Sequence, residues 1–244
     1  MIILPMAGLS RRFAEAGYTA PKFMLPLHGK SVFEHAVASF EAYFDAVPFV
    51  LVFREDPAVR AFAPEALRRL GVRNFELVGL DAPTRGQAET VAVALRRLGG
   101  DDAPATVFNI DTFRPGFRFP EGVETFDGYL EVFQGEGANW SYVRPVAPGD
   151  DCVAETTEKR PVSDLCCTGL YHFASSRRFL RAFDAYAADP PPDLPGGELY
   201  VAPLYNLLIG EGCDIRWRRV RREEVIFCGV PAEYEGLRGD GQSD

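Results

Sequence analysis

A strand, a tight loop and a set of cations open this 244-residue chain. Ile2-Ile3-Leu4 is an apolar run that reads as a short buried strand, and it leads into Pro5-Met6-Ala7-Gly8-Leu9-Ser10-Arg11-Arg12-Phe13. A further cation follows at Pro21-Lys22. Small residues let backbone N–H groups approach phosphate oxygens, and guanidinium and ammonium groups neutralise charge that the backbone cannot. A triphosphate site needs these parts. Arg12 and Lys22 are the expected phosphate cations, with Arg11 an exposed neighbour. The lysines of the chain are Lys22, Lys30 and Lys159 alone, against many arginines. An ordinary surface cation is written here as arginine, so each lysine stands out. Lys30 follows a glycine at a helix start and could be structural or phosphate-directed.

Two further segments carry chemistry. Thr106-Val107-Phe108-Asn109-Ile110 is an apolar strand running into Asp111. A carboxylate at the carboxyl end of a buried parallel strand faces the ligand crevice of an open sheet. Magnesium favours a carboxylate plus phosphate oxygens, so Asp111 is the expected metal ligand, a helix N-cap being the plainer alternative. In Thr84-Arg85-Gly86-Gln87-Ala88-Glu89-Thr90, Gly86 would let a base edge lie against the backbone, and Gln87 offers both donor and acceptor. The plainer alternative is a helix N-terminus capped by Thr84.

The elements that must position these groups follow from apolar periodicity. Strands are expected at 2–4, 49–53, 75–80 and 106–110, with helices 31–44, 57–70 and 87–98 between them. This alternation implies parallel strands with right-handed crossovers. Beyond it, strands are expected at 128–134, 138–146, 153–159, 168–173, 214–220 and 225–228, and helices at 175–188 and 201–211. The Pro- and Gly-rich stretch 190–197 reads as a surface loop, and a polar, frayed tail starts near Gly236. The expected fold is α/β: a Rossmann-like three-layer α/β/α arrangement with a mixed, mainly parallel central sheet.

Composition narrows the function classes. Hydrophobic residues make up 47% and charged residues 25%, as in an ordinary globular protein. No apolar run is long enough to span a membrane, and the N-terminus lacks a secretory pattern. A net charge of −9 without basic runs argues against a nucleic-acid partner. Cys152, Cys166, Cys167, Cys213 and Cys228 show no zinc or disulfide spacing, and His28, His35 and His172 are scattered. A reduced, cytoplasmic protein is expected.

The opening resembles that of the nucleotidyltransferases that make nucleotide sugars, whose pattern is a strand, Ala-Ala-Gly-x-Gly-x-Arg-Phe or Leu, Pro-Lys and Gly-Lys-Pro. Here it stands as Met6-Ala7-Gly8-Leu9-Ser10-Arg11-Arg12-Phe13, Pro21-Lys22 and Gly29-Lys30-Ser31. Ser10 replaces a glycine, a change that tightens the loop if positive φ is needed, and Ser31 replaces a proline. The resemblance implies that Ala7, Gly8, Leu9, Gly86 and Gln87 bind the nucleotide and that Asp111 holds Mg2+. Glu158-Lys159 resembles the family's Glu-Lys-Pro, whose lysine meets the acceptor phosphate. Thr168-Gly169-Leu170-Tyr171 matches the Thr-Gly-Leu-Tyr strand beneath the acceptor's sugar, and Gly197-Glu198-Leu199 matches the start of Gly-Glu-Leu-Glu-Ile-Thr-Asp. Glu158, Thr168, Gly169 and Glu198 are thus implied acceptor residues. Tyr200 and Pro203 depart from that last motif, and Phe227 stands where the family commonly has a second metal-binding aspartate.

The resemblance implies a fold of the nucleotide-diphospho-sugar transferase type in one domain, 1–244. Residues 1–112 form the nucleotide-binding half, 113–235 the acceptor-binding half and 236–244 the tail. The implied reaction joins a nucleoside triphosphate to a phosphorylated acceptor, foremost a sugar 1-phosphate, in a branch serving capsule or surface-polysaccharide synthesis. Phosphocholine-like acceptors stay open, and so does the base. The rivals are a glycosyltransferase, which would want an Asp-x-Asp motif where Asp111-Thr112-Phe113 stands, and a non-catalytic sensor of nucleotides or sugar phosphates.

Overall fold

The computed structural model describes residues 1–99, 102–192 and 194–240. In chain order the elements are β1 (Ile2–Pro5), α1 (Arg11–Glu15), β2 (Pro26–Leu27), β3 (Lys30–Ser31), α2 (Val32–Ala38), β4 (Phe49–Arg54), α3 (Pro57–Leu70), β5 (Phe75–Leu80), α4 (Gln87–Leu98), β6 (Ala105–Phe108), β7 (Thr112–Phe113), β8 (Gly128–Gln134), β9 (Ser141–Pro145), β10 (Val153–Glu158), β11 (Leu165–Phe173), α5 (Ser176–Ala188), α6 (Leu204–Gly210), β12 (Ile215–Val220), β13 (Ile226–Phe227) and α7 (Pro231–Asp240). The main sheet runs β10-β9-β11-β6-β1-β4-β5, with β8 paired to β11 and β12 to β8. Strands β6, β1, β4 and β5 are parallel, and β11 runs antiparallel to both β6 and β8.

Alternation along the strands builds the three layers. Val50 and Val52 of β4 pack in one cluster with Ala88 and Val91 of α4 and Phe179 of α5. Phe49, Leu51 and Phe53 face the other way, packing with Phe33 and Val37 of α2 and Ala63 and Leu67 of α3. This is the mixed, mainly parallel α/β/α arrangement that the periodicity implies. Among the described residues no helix is long and apolar enough to cross a membrane.

Two expected elements differ. Helix 31–44 is broken: α2 ends at Ala38, and the aromatic spacing continues through a 3₁₀ turn, Glu41–Tyr43. Ser39, next in the chain, accepts the Arg114 N–H at 2.8 Å. The frayed tail is not observed from Gly236 to Asp240, because α7 covers that stretch. Tyr234 anchors the helix: it is buried, its hydroxyl donates to the Pro26 carbonyl at 2.7 Å, and its ring meets Phe13 and Tyr18 edge-on. The last four positions of the expected tail, 241–244, lie outside the described residues.

One buried ion pair ties β8 to the end of β7. Arg114 and Glu131 are only 8% and 5% exposed, and the guanidinium donates to both carboxylate oxygens, at 2.6 and 3.0 Å. It also donates to the Glu224 carbonyl at 2.5 Å, just before β13. Removing one partner leaves the other charged in the core. Arg114→Met is therefore expected to lower stability by about 3–5 kcal/mol, and Arg114→Met with Glu131→Leu to recover most of that loss. Urea denaturation checks both; a double variant no more stable than the single one would show that the stranded charge is not the cause.

Candidate active site

The loop after β1 is held at both ends and open in the middle. The Met6 N–H donates to Val52 of β4 at 2.7 Å, and Phe13 of α1 is buried. Between them, the N–H groups of Ala7 through Arg12 donate to no protein acceptor among the described residues. Ser10 has φ 49° and ψ 35°, the left-handed conformation that its glycine-like position requires. Free N–H groups in such a loop form an anion-binding concavity.

This loop borders a cavity of about 720 Å³. Arg12, Lys22, Lys159, Ala7, Gly8, Leu9, Gly86, Gln87, Glu198 and Asp111 all line it, so the structure brings together most of the residues singled out by type and motif. Arg11, Arg54, Asn109, Tyr200 and Gly229 line it too. Its charges are those of Arg11, Arg12, Lys22, Arg54 and Lys159 against Asp111 and Glu198. The cavity is thus locally positive in a chain of net charge −9.

Asp111 sits three residues past β6, where several elements converge. Its carbonyl accepts the Cys228 N–H at 2.8 Å, because β13 pairs with β7. Its carboxylate bonds the Lys22 ammonium, and both groups are about one-fifth exposed. A side chain at Gly229 would come within 3.1 Å of that carboxylate. Glu233 closes the same turn by accepting from the N–H groups of Gly229 and Val230, at 2.8 and 3.2 Å. Burial pushes the Cys228 thiol up to about 12, with the charges of Asp111 and Glu233 adding to it. The thiol is therefore protonated at neutral pH.

A divalent ion fits here on chemical grounds. Asp111 is one carboxylate already in contact with a cation, and magnesium uses one or two carboxylates plus substrate oxygens. Phe227, at the place of the family's second aspartate, packs instead on Trp140 and Phe133, with ring centroids 4.7 and 5.3 Å away. Among the described residues, the acidic group tight enough to hold an ion unaided is Asp150, Asp151 and Cys152, which does not line the cavity. There Asp151 pairs with Arg216 and Arg218.

On the opposite wall, Lys159 follows β10 with φ 55°, a left-handed conformation rare for a side-chain-bearing residue. Its N–H donates to the Trp140 carbonyl at 2.9 Å. Its ammonium donates to the Tyr200 hydroxyl at 2.6 Å and lies 4.8 Å from the ring centroid. Burial raises the Tyr200 phenol, and Glu198 and Glu158 raise it further, so it is un-ionised. Glu158 itself bonds the Ser141 hydroxyl, and burial raises its carboxyl above the usual range.

Other expected residues fall elsewhere. Thr168 is buried in β11, where its hydroxyl donates to the Glu131 carboxylate at 3.1 Å. Gly169 has φ 97° and lies against Asn109, whose side chain leaves no room for a Cβ. Both lie within β11 and do not line the cavity. Lys30 is exposed on β3 and Glu158 flanks the cavity behind Lys159; neither lines it. Gly86 does line it, and it also packs against Leu199. Its φ is 144°, and a Cβ there would lie 2.5 Å from the Leu199 carbonyl oxygen. The Leu199 N–H donates to Arg85 at 2.7 Å, and its carbonyl accepts from Ala88 at 3.0 Å. Gln87 points to the end of β6, donating to Asn109 at 2.6 Å.

Comparison with known proteins bears on the whole chain. Residues 2–114 match the model of the MobA-like NTP transferase domain. The crystal structure of the nucleoside-diphosphate-sugar pyrophosphorylase from Vibrio cholerae RC9 is 49% identical, covers 98% of this chain and 100% of its own, and superposes with a TM-score of 0.93. The inositol-1-phosphate CTP transferase of T. maritima (15% identity, 99% and 96% covered, TM-score 0.71) and the UTP-bound UGPase of Acinetobacter baumannii (16%, 98% and 92%, 0.71) share the fold. No curated protein matches.

The Gly86–Leu199 contact makes a sharp prediction. Gly86→Ala forces Leu199 away from the start of α4 and shifts Glu198 and Tyr200 with it. We expect a destabilisation of about 2 kcal/mol or more, measured by thermal or urea unfolding. A variant as stable as the parent would mean that the contact gives way at no cost.

Proposed function

Because this chain belongs to the nucleoside-diphosphate-sugar pyrophosphorylase family of nucleotidyltransferases, we propose that it joins a nucleoside triphosphate to a sugar 1-phosphate and releases pyrophosphate. The observation that carries this reading is the cavity itself: a loop of free N–H groups with Arg12, Lys22 and Lys159 around it, in an acidic protein. Such a site suits a polyanion. It draws on both proposed halves of one domain, with Arg12 and Lys22 from the nucleotide half and Lys159 and Glu198 from the acceptor half.

In the proposed reaction an oxygen of the acceptor phosphate attacks the α-phosphorus in line. A new P–O bond forms, the bond to the bridging oxygen of the β-phosphate breaks, and pyrophosphate leaves with that electron pair. The acceptor phosphate is already ionised near neutral pH, so no protein nucleophile or base is required. Catalysis is then positioning and charge neutralisation. The loop N–H groups and Arg12 hold the triphosphate. Lys22 neutralises charge developing at the α-phosphate, and Lys159 steers the acceptor phosphate from the opposite wall. Asp111 is the residue that would hold a magnesium ion together with triphosphate oxygens, and the ion would supply further charge neutralisation there. Glu198 offers an acceptor to hydroxyl groups of the sugar, and Glu158 stands behind Lys159 outside the cavity lining.

The five cysteines are free thiols, which fits the reducing cytoplasm. The departures at Tyr200, Pro203 and Phe227 set the acceptor side apart from the resembled motif, and a role in capsule or surface-polysaccharide synthesis rests on the resemblance alone.

Magnesium-dependent pyrophosphate release, assayed with each nucleoside triphosphate against a panel of sugar 1-phosphates, tests the reading. Lys22→Met is expected to lower kcat by about 10²–10³-fold, the usual cost of losing one transition-state donor. The Lys22–Asp111 pair is partly exposed, so stability should change by only about 1 kcal/mol. Chelation of the metal should abolish turnover. Near-normal turnover in Lys22→Met would sink the assignment of that residue, and no release from any pair would sink the reaction.

A further inference from the structure

Arg54 closes β4 and has no assigned task. The strand before it is apolar and buried from Phe49 to Phe53, whereas Arg54 is exposed. The acids beside it are committed elsewhere. Glu55 takes both branches of the Arg60 guanidinium, at 2.7 and 2.5 Å, and Asp56 caps α3 by accepting the Ala58 N–H at 2.7 Å. Most arginines have an ion pair, a carbonyl or an aromatic ring as partner. Among the described residues, Arg11, Arg12, Arg54, Arg73, Arg177 and Arg219 have none of these for their side chains. Of these, Arg11, Arg12 and Arg54 line the cavity.

The fold places Arg54 at one end of that cavity. In the parallel register Val52 lies opposite Pro5, so Arg54 stands level with the loop at Ala7 and Gly8. Alternation along β4 puts it on the side of Val50 and Val52, the face that packs on α4. Pro83, Thr84 and Gly86, on the segment leading into α4, line the cavity with it. Asp111 and Lys22 belong to the end of β6, two strands away across β1, or roughly 10 Å at ordinary strand spacing. With the α-phosphorus at Asp111, Lys22 and Lys159, a nucleotide lying over the loop brings its base to Arg54 and Thr84. This placement rests on the nucleotidyltransferase reading above.

We propose that Arg54 reads the edge of the nucleotide base and selects one that presents two adjacent hydrogen-bond acceptors. A guanidinium is a planar fork of donors with no acceptor. Cytosine offers O2 and N3 side by side, and guanine offers O6 and N7. Uracil and thymine set an N3–H donor between their carbonyls, and adenine sets an amino donor beside its ring nitrogen, so each meets the fork with a donor.

Calorimetry in the presence of magnesium tests this without knowledge of the acceptor. The wild-type protein should bind CTP or GTP about tenfold or more tightly than UTP, dTTP or ATP, the range a bidentate base contact supplies. Which of the two binds identifies the base. Arg54→Met should erase most of that preference, Arg54→Lys should restore little of it, and inorganic triphosphate should bind all three proteins within about twofold, because the contact is to the base. Preference for UTP, dTTP or ATP, a preference that survives Arg54→Met, or an equal loss of inorganic triphosphate binding would each overturn the inference while leaving the reaction intact. Failure of the wild-type protein to bind any nucleoside triphosphate would overturn the reaction and the inference together.

Discussion

The cavity exists as one site because the backbone of Leu199 lies directly on Gly86. This contact joins residues more than a hundred positions apart and is closed by two backbone hydrogen bonds, from Leu199 to Arg85 and from Ala88 to Leu199. Only a residue without a Cβ permits it, since a side-chain carbon would sit 2.5 Å from a carbonyl oxygen. Through it the segment 198–200 is clamped to the start of α4, and α4 is packed on β1 and β4, the strands that carry the loop of free N–H groups and Arg54. Glu198 and Tyr200 thus take their places relative to Arg12 through backbone geometry, which varies less than side-chain contacts do.

Charge is distributed with similar economy. A net −9 chain would repel a nucleoside triphosphate if its charges were spread evenly. Most arginines are instead neutralised by neighbouring acids, as in Arg60–Glu55, Arg69–Glu65, Arg96–Asp184 and Arg181–Glu211. These surface pairs add little stability. Their larger effect is to leave the cavity as a place where cations outnumber carboxylates. Global charge therefore says little about ligand sign in this protein, and pairing decides it.

The parallel half of the fold was legible in the sequence because each of its elements is a continuous apolar run or a stripe at helical spacing between turn residues. Strand 75–80 and helices 57–70 and 87–98 coincide with β5, α3 and α4. What was not legible depends on distant partners. Tyr234 anchors α7 through Pro26, 208 positions away, so the last helix reads as a polar tail. Thr168-Gly169 carries a motif's letters, but letters do not say which neighbours will surround a strand: Glu131 and Asn109 take both residues into the core. Arg54 was within reach. The rule that singles out Asp111, a charged residue ending a buried parallel strand, applies equally to Phe49–Arg54, and a strand read as ending at Phe53 leaves it out.

The departure at Tyr200 acquires a physical meaning beside Lys159. Arginine stays charged and holds a rigid fork, so Arg11, Arg12 and Arg54 can stand without partners. Lysine is a point charge on a flexible stem, and both lysines of the cavity are moored, Lys22 by Asp111 and Lys159 by Tyr200. The moorings differ in charge. Asp111 cancels the field of Lys22 until another cation takes its carboxylate. Tyr200 is held un-ionised by burial and by its acidic neighbours, so it fixes the ammonium of Lys159 through a neutral oxygen and leaves its charge intact. A glutamate at 200, as the resembled motif has, would add a further carboxylate to a wall that already holds Glu158 and Glu198. The tyrosine therefore orients Lys159 without setting another carboxylate beside it, which is what the phosphate-steering role proposed for Lys159 requires.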